Sequence, residues 1–202
     1  MHIEFLVEEP SVEAALTNLA PAILGPDITF QVHPHNGKSD LPAKLPNRLS
    51  GYRPWLPADW RIVVLIDADE ADCLQLKARM EDIARAAGLV TRSAAGGTQF
   101  QVLNRLAVQE LEAWFFGDAE ALCAAYPRFS PNLGTRPRYR NPDAISGGTW
   151  EALERELQRI GYAPGGLPKV ATARAVSAHM QPERNRSHRF QVFRQGLLEL
   201  IR

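Results

Sequence analysis

The chain is short of cysteine, of net charge and of long apolar segments, and each shortage excludes a class of protein. Its 202 residues include two cysteines, Cys73 and Cys123, which excludes a disulfide scaffold and a four-cysteine zinc site. The 23 basic and 23 acidic residues cancel, so the chain does not carry a uniformly basic coat for nucleic acid. The longest purely aliphatic run, residues 62–66, is far too short to span a bilayer.

The chain has instead the composition of an ordinary globular protein. Hydrophobic residues make up 45% and charged residues 23%, and a chain of this length can bury a large core without metals or disulfides. Its first nine residues include Glu4, Glu8 and Glu9, which is unlike a signal peptide. We therefore expect a cytoplasmic protein with no membrane partner.

The zero net charge conceals an asymmetry between the two parts of the chain. Residues 1–127 hold 10 basic and 17 acidic residues, whereas residues 128–202 hold 13 basic and 6 acidic residues. The two parts could simply attract each other, although exposed ion pairs contribute little. The alternative is an acidic metal site in the first part and a basic surface for a polyanion in the second.

Strand patterns alternate with helix patterns, which predicts an α/β fold with a mainly parallel sheet. The strands are expected at residues 2–7, 28–33, 61–66 and 99–108, with a short fifth at 89–92. Helices are expected after the first strand, from an N-cap at Ser11 to a kink or end near Ala20 imposed by Pro21, and after the third strand as far as Ala87. Residues 34–60, with five prolines, are predicted to be a long binding loop.

The remainder of the chain predicts helices joined by an irregular segment. Residues 127–148 are rich in Pro, Arg, Asn and Gly, and helices are expected at 149–160, 168–179 and 187–201, the last with Ser187 as its N-cap. Its apolar positions, predicted to pack in the core, are Phe190, Phe193, Leu197 and Leu200. We thus divide the chain into an α/β domain, residues 1–126, and a basic, mostly helical portion packed on it, residues 127–202.

Two predicted strands end in carboxylates. Glu8 follows the first strand, and Asp67 and Asp69 end the buried third strand. The carboxyl ends of parallel strands share one edge of a sheet, and clustered hard oxygen ligands suit Mg²⁺ or Mn²⁺. The alternative is that the aspartates cap the next helix while Glu8 is a solvated loop residue.

Other polar residues allow both functional and structural interpretations. Glu110 and Glu112 could complete the metal site if they lie on a strand end or loop, or they could be a helix N-terminal carboxylate and a surface residue. His33 and His35 are expected in a surface loop. The basic residues that could contact phosphates, or could equally form a solvated basic loop, are Arg136, Arg138, Arg140, Lys169, Arg184 and Arg186.

The order of these motifs resembles a known family. The segments FLVEEPSVEAAL and VVLIDADEADC look like the Toprim fold of topoisomerases, primases and OLD-type nucleases. Together with RLAVQELEAWFFGDAEAL and RSHRFQVFRQGL, they more closely resemble the Toprim-like proteins of the DUF4276 family. The resemblance implies that Glu8 is a general acid/base and that Asp67 and Asp69 bind Mg²⁺. It also implies a bacterial setting in phage defence or mobile elements, beside ATPases.

We therefore expect a Toprim-type, Mg²⁺-dependent phosphoryl-transfer enzyme, a nuclease acting on DNA or RNA. One or two metal ions would bind at Glu8, Asp67 and Asp69, with Glu110 or Glu112 adding a ligand. The rival hypothesis is a non-catalytic or effector partner of a separate ATPase, which would use the acidic edge for interaction. Metal-dependent turnover by the purified protein would separate the two.

Overall fold

The structure, a computed structural model, describes residues 1–37, 39–68, 73–108 and 111–202, with the backbone alone described at 68, 107 and 108. Within these residues, four strands form one parallel sheet in the order β2-β1-β3-β4. The strands are β1 (His2–Val7), β2 (Thr29–Pro34), β3 (Trp60–Ala68) and β4 (Val102–Val108). The predicted α/β fold with a parallel sheet is therefore confirmed.

Helices cover both faces of this sheet. In the described residues they are α1 (Pro10–Leu24), α2 (Asp40–Tyr52), α3 (Cys73–Ala86), α4 (Glu112–Gly117), α5 (Ala119–Ala125), α6 (Thr149–Arg159), α7 (Lys169–Ser177) and α8 (His188–Leu200). Short 3₁₀ helices lie at Leu133–Thr135 and Pro142–Ala144. None of the helices in the described part of the chain is both long and apolar enough to cross a membrane.

The central strands are buried on both faces because their side chains alternate in direction. Phe5 and Val7 enter one hydrophobic core, which continues through α1 into the C-terminal helices. Leu6, between them in sequence, enters the second core, formed with α2 and α3. The basic C-terminal portion thus shares its core with the sheet.

The predicted long loop at 34–60 is wrong, because half of it forms α2. Leu41, Leu45 and Leu49 recur every four residues and are fully buried on one side of this helix. Pro42 lies in the first turn, where a backbone N–H has no partner within the helix. Pro46 lies inside the helix, where proline removes a backbone hydrogen bond and destabilises the helix. Burial of the three leucines offsets this cost in free energy.

Three smaller predictions also need correction. Helix α1 begins at Pro10, one residue before the predicted cap Ser11, because proline suits the first helical position. It continues through Pro21 and ends before Gly25, whose φ of 83° suits glycine. The strand predicted at 89–92 is reduced to a single bridge between Thr91 and Val102.

The C-terminal helix follows its predicted pattern. The Ser187 hydroxyl accepts a hydrogen bond from the Phe190 N–H at 3.1 Å, which is an N-cap. The same hydroxyl donates to Asp143 at 2.6 Å. The four apolar positions predicted to pack are all buried, which confirms that expectation.

A polar network ties α3 to β4. The Glu81 carboxylate accepts hydrogen bonds from Lys77 on α3, from the side-chain amide of Asn104 at 3.0 Å, and from Ser93. Burial raises the pKa of Glu81, but these hydrogen bonds together with one from Thr91 outweigh burial and hold its pKa at about 2. The carboxylate therefore stays ionised in the folded protein down to strongly acidic pH.

The depressed pKa of Glu81 predicts that the free energy of unfolding decreases in acid. The pKa of Glu81 falls from 4.5 to about 2 on folding. Its contribution to the free energy of unfolding is therefore fully present above pH 4.5 and is lost as the pH falls toward 2. Replacing it in Glu81→Gln should make the free energy of unfolding less dependent on pH in that window, by up to about 1.4 kcal/mol per pH unit. Urea unfolding at a series of pH values measures this.

Asp82→Asn provides the matched control, because Asp82 is the next residue and its side chain is 67% exposed. This variant should keep the wild-type pH dependence. An unchanged pH dependence in Glu81→Gln would contradict the depressed pKa.

Candidate active site

The carboxyl ends of β1 and β3 bring Glu8 and Asp67 into contact. The last paired residues of the two strands are Val7 and Leu65. One residue beyond Val7 and two beyond Leu65, the backbone N–H of Asp67 donates a hydrogen bond to Glu8 Oε2 at 2.9 Å. The carboxylate of Glu8 thus holds the two strand ends together, and the two residues share one edge, as expected for parallel strands.

Glu8 lies at the edge of the sheet, yet its side chain is only 1% exposed. The segment after β2 covers it: the N–H groups of His35 and Gly37 donate to the carbonyl oxygens of Val7 and Glu8, both at 3.0 Å. Asp67 is only partly buried. Among the described residues, the site is therefore closed on the side of β2, and Asp67 is more accessible than Glu8.

His35 is buried beside this site, which contradicts the prediction that it lies in a surface loop. Its side chain is 4% exposed, and ring atom Nδ1 lies 3.0 Å from the carbonyl oxygen of Val7. Nε2 has no hydrogen-bond partner among the described residues. The sequence missed this residue because its burial depends on the chain folding back over β1. The neighbouring His33 is part-buried and contacts the carboxylate of Glu4.

Of the two further acidic candidates, Glu110 and Glu112, the structure describes Glu112. Glu112 lies in the first turn of α4 and is 4% exposed. Asp118 nearby is structural, because it caps α5 and accepts a hydrogen bond from Arg184 at 2.8 Å. Asp69 and Glu110 lie outside the described residues.

The described residues alone do not form a metal cage. Among them, no group of three or more His, Cys, Asp or Glu side chains is placed to hold a metal ion. The donors at this edge are nevertheless carboxylates, the hard oxygen ligands that suit Mg²⁺. The chemistry of Glu8 and Asp67 thus fits such an ion, while Asp69 and Glu110, expected as further ligands, fall outside what the structure describes.

One predicted phosphate-binding residue lies beside the site. Lys169, the first residue of α7, places its ammonium 3.8 Å from a carboxylate oxygen of Glu9 and 5.2 Å from the centre of the Trp150 ring. Glu9 directly follows Glu8, so α7 brings a positive charge from the C-terminal portion close to the candidate site.

The predicted arginines differ in what they contact. Arg136 pairs with Glu156 at 3.3 Å, and Arg186 donates to the carbonyl oxygen of Gly134 at 3.0 Å. Arg184 pairs with Glu120 at 2.6 Å as well as with Asp118. Arg138 and Arg140 are exposed. The structure thus uses three of these arginines for internal contacts and leaves two on the surface.

Comparison with known proteins places the chain in a family. No significant match was found among curated proteins or among solved structures. Residues 7–198 match the family described as a domain of unknown function, DUF4276. That match begins at the last residue of β1, includes the described residues of the candidate site and most of α8, and covers nearly the whole sequence. The chain therefore belongs to the DUF4276 family.

Proposed function

We propose that the protein is a Mg²⁺- or Mn²⁺-dependent phosphodiester hydrolase of the Toprim type, a nuclease acting on DNA or RNA. The observation that carries the proposal is the contact between the buried Glu8 carboxylate and the backbone of Asp67 at the carboxyl edge of a parallel sheet. Ligand sites of parallel α/β sheets lie at this edge. The order of the acidic residues along the chain supports the Toprim assignment.

Each acidic residue has a role in this proposal. Asp67 and Asp69 would hold the metal, with Glu110 or Glu112 adding a ligand. When bound, the metal polarises a phosphate oxygen and lowers the pKa of a water molecule. Glu8 would move a proton to or from the reacting oxygens, as a general acid or base. The segment after β2 covers Glu8, and this burial limits the access of bulk water to its carboxylate.

The nucleic-acid surface in this proposal belongs to the C-terminal portion. Lys169 lies next to Glu9, and Arg138 and Arg140 are exposed. Cations on the surface bind phosphates by releasing counterions. Arg136, Arg184 and Arg186 would support this surface through their internal contacts instead of binding phosphate themselves.

The first test removes the predicted metal ligand. Purified wild-type protein should cleave DNA or RNA when Mg²⁺ or Mn²⁺ is present, and Asp67→Asn should lower turnover at least about 100-fold because a charged ligand is lost. Gel-based cleavage measures turnover, and calorimetry with Mn²⁺ should show weaker binding by the variant.

Asp59→Asn is the matched control, since Asp59 lies just before the other end of β3 and its side chain is 68% exposed. This variant should retain full activity. If wild-type protein binds Mn²⁺ but cleaves neither DNA nor RNA, the nuclease proposal fails and the non-catalytic role beside an ATPase becomes the better hypothesis.

The second test separates catalysis from folding at Glu8. Glu8→Gln keeps an oxygen that can accept the Asp67 N–H, so the free energy of unfolding should change little while turnover falls about 10²–10⁴-fold. Glu8→Leu removes the acceptor and should lower the free energy of unfolding by about 1–3 kcal/mol. Urea unfolding and cleavage rates measure the two effects. Full activity in Glu8→Gln would exclude proton transfer by Glu8.

The third test concerns the basic surface. The double variant Arg138→Gln/Arg140→Gln should reduce the magnitude of the slope of log affinity against log salt by about 1–2. The reason is that each phosphate contact releases about one counterion, and the variant forms fewer such contacts. Fluorescence anisotropy with labelled oligonucleotides measures this slope. The control Arg79→Gln removes an exposed arginine from α3 and should not alter it. An unchanged slope in the double variant would place the binding surface elsewhere.

A further inference from the structure

A cavity lies at the opposite edge of the sheet from Glu8 and Asp67. It has a volume of about 720 Å³ and is lined by Arg61 at the start of β3, by Arg92 and the turn at 96–100, and by the end of α8. Arg61 and Asp67 are six residues apart on β3, which separates the two sites by about 20 Å. The volume is typical of small-molecule sites.

The wall of this cavity contains a buried cation that has no anionic partner among the described residues. Arg61 is 5% exposed and pairs with no carboxylate of the described residues. Its Nη1 donates to the carbonyl oxygens of Ala58 and Trp60, both at 2.8 Å, and its other N–H groups make no hydrogen bond within the described chain. Burial of an uncompensated charge is costly, and an anion in the cavity would supply the missing charge.

Further positive charge surrounds the same cavity. Arg92 also lines it, and the single carboxylate that Arg92 contacts in the described residues belongs to Glu199. Arg105 lies close to Arg92: burial and then the charge of Arg92 lower the pKa of Arg105 to about 10. Both arginines line a smaller adjoining cavity. This corner of the molecule therefore holds an excess of positive charge.

The turn before β4 adds uncharged donors. Gly96 and Gly97 have φ of 58° and 92°, and open space lies where a side chain would begin at each of them. Their backbone N–H groups make no hydrogen bond within the described chain, and both residues line the cavity. Consecutive free N–H groups of this kind form anion-binding concavities.

The remaining lining is apolar. Phe100 and Leu200, which are 9% and 4% exposed, lie on the cavity wall beside the cationic groups. We propose that this cavity binds a small phosphorylated molecule of mononucleotide size, with its phosphate at Arg61 and Arg92 and its organic part against Phe100. This site is separate from the proposed nuclease site and does not depend on it.

The experiment compares phosphorylated and unphosphorylated probes by calorimetry. Wild-type protein should bind AMP and pyrophosphate, and it should bind adenosine at least about tenfold more weakly than AMP. Arg61→Gln and Arg92→Gln should each raise the Kd for AMP at least about tenfold, as expected for loss of a charged hydrogen-bond donor. Arg85→Gln, an exposed arginine of α3 outside the cavity, should bind as wild type does.

Arg92→Gln decides the result if Arg61→Gln does not fold, because the Arg92 side chain is 44% exposed and its loss removes one ion pair. Asp67→Asn should leave the Kd for AMP unchanged, which separates this cavity from the candidate active site. The proposal is overturned if wild-type protein binds neither AMP nor pyrophosphate. It is also overturned if adenosine binds as well as AMP, or if Arg92→Gln binds AMP with wild-type affinity.

Discussion

The parallel pairing of β1 with β3 is the interaction on which the rest of the structure depends. These strands lie at the centre of the sheet, and their alternating side chains supply both hydrophobic cores. The pairing ends at Val7 and Leu65, so Glu8, one residue beyond Val7, and Asp67, two residues beyond Leu65, meet through the Glu8 carboxylate. The same pairing places Arg61 at the other edge, where the cavity lined by Arg61 and Arg92 opens.

The charge asymmetry of the chain has more than one structural use. Contacts between the two parts account for some of it: Arg184 pairs with Asp118, and Lys169 lies near Glu9. Other arginines of the basic portion pair within it, as Arg136 and Arg159 do with Glu156. Mutual attraction and local pairing thus involve part of the basic portion, while Arg138 and Arg140 remain exposed.

Local patterns predicted most of the regular structure, and failed where burial opposed a local preference. The run of β-branched residues in β3, the apolar positions of α8 and its cap at Ser187 are local signals, and all three are confirmed. In α2, by contrast, prolines signal a loop while the leucine stripe signals a helix. The helix prevails because three leucines are fully buried against the sheet.

The candidate site shows the same division. By itself the sequence determined that acidic residues follow two strands, and that parallel strands would bring them to one edge, because strand direction and side-chain alternation are local properties. Only the tertiary structure decided that Glu8 is buried, that His35 covers the end of β1, and that Arg61 lies in a cavity wall with no carboxylate partner among the described residues. These features depend on which distant segments come to lie together, and packing of the whole chain determines that.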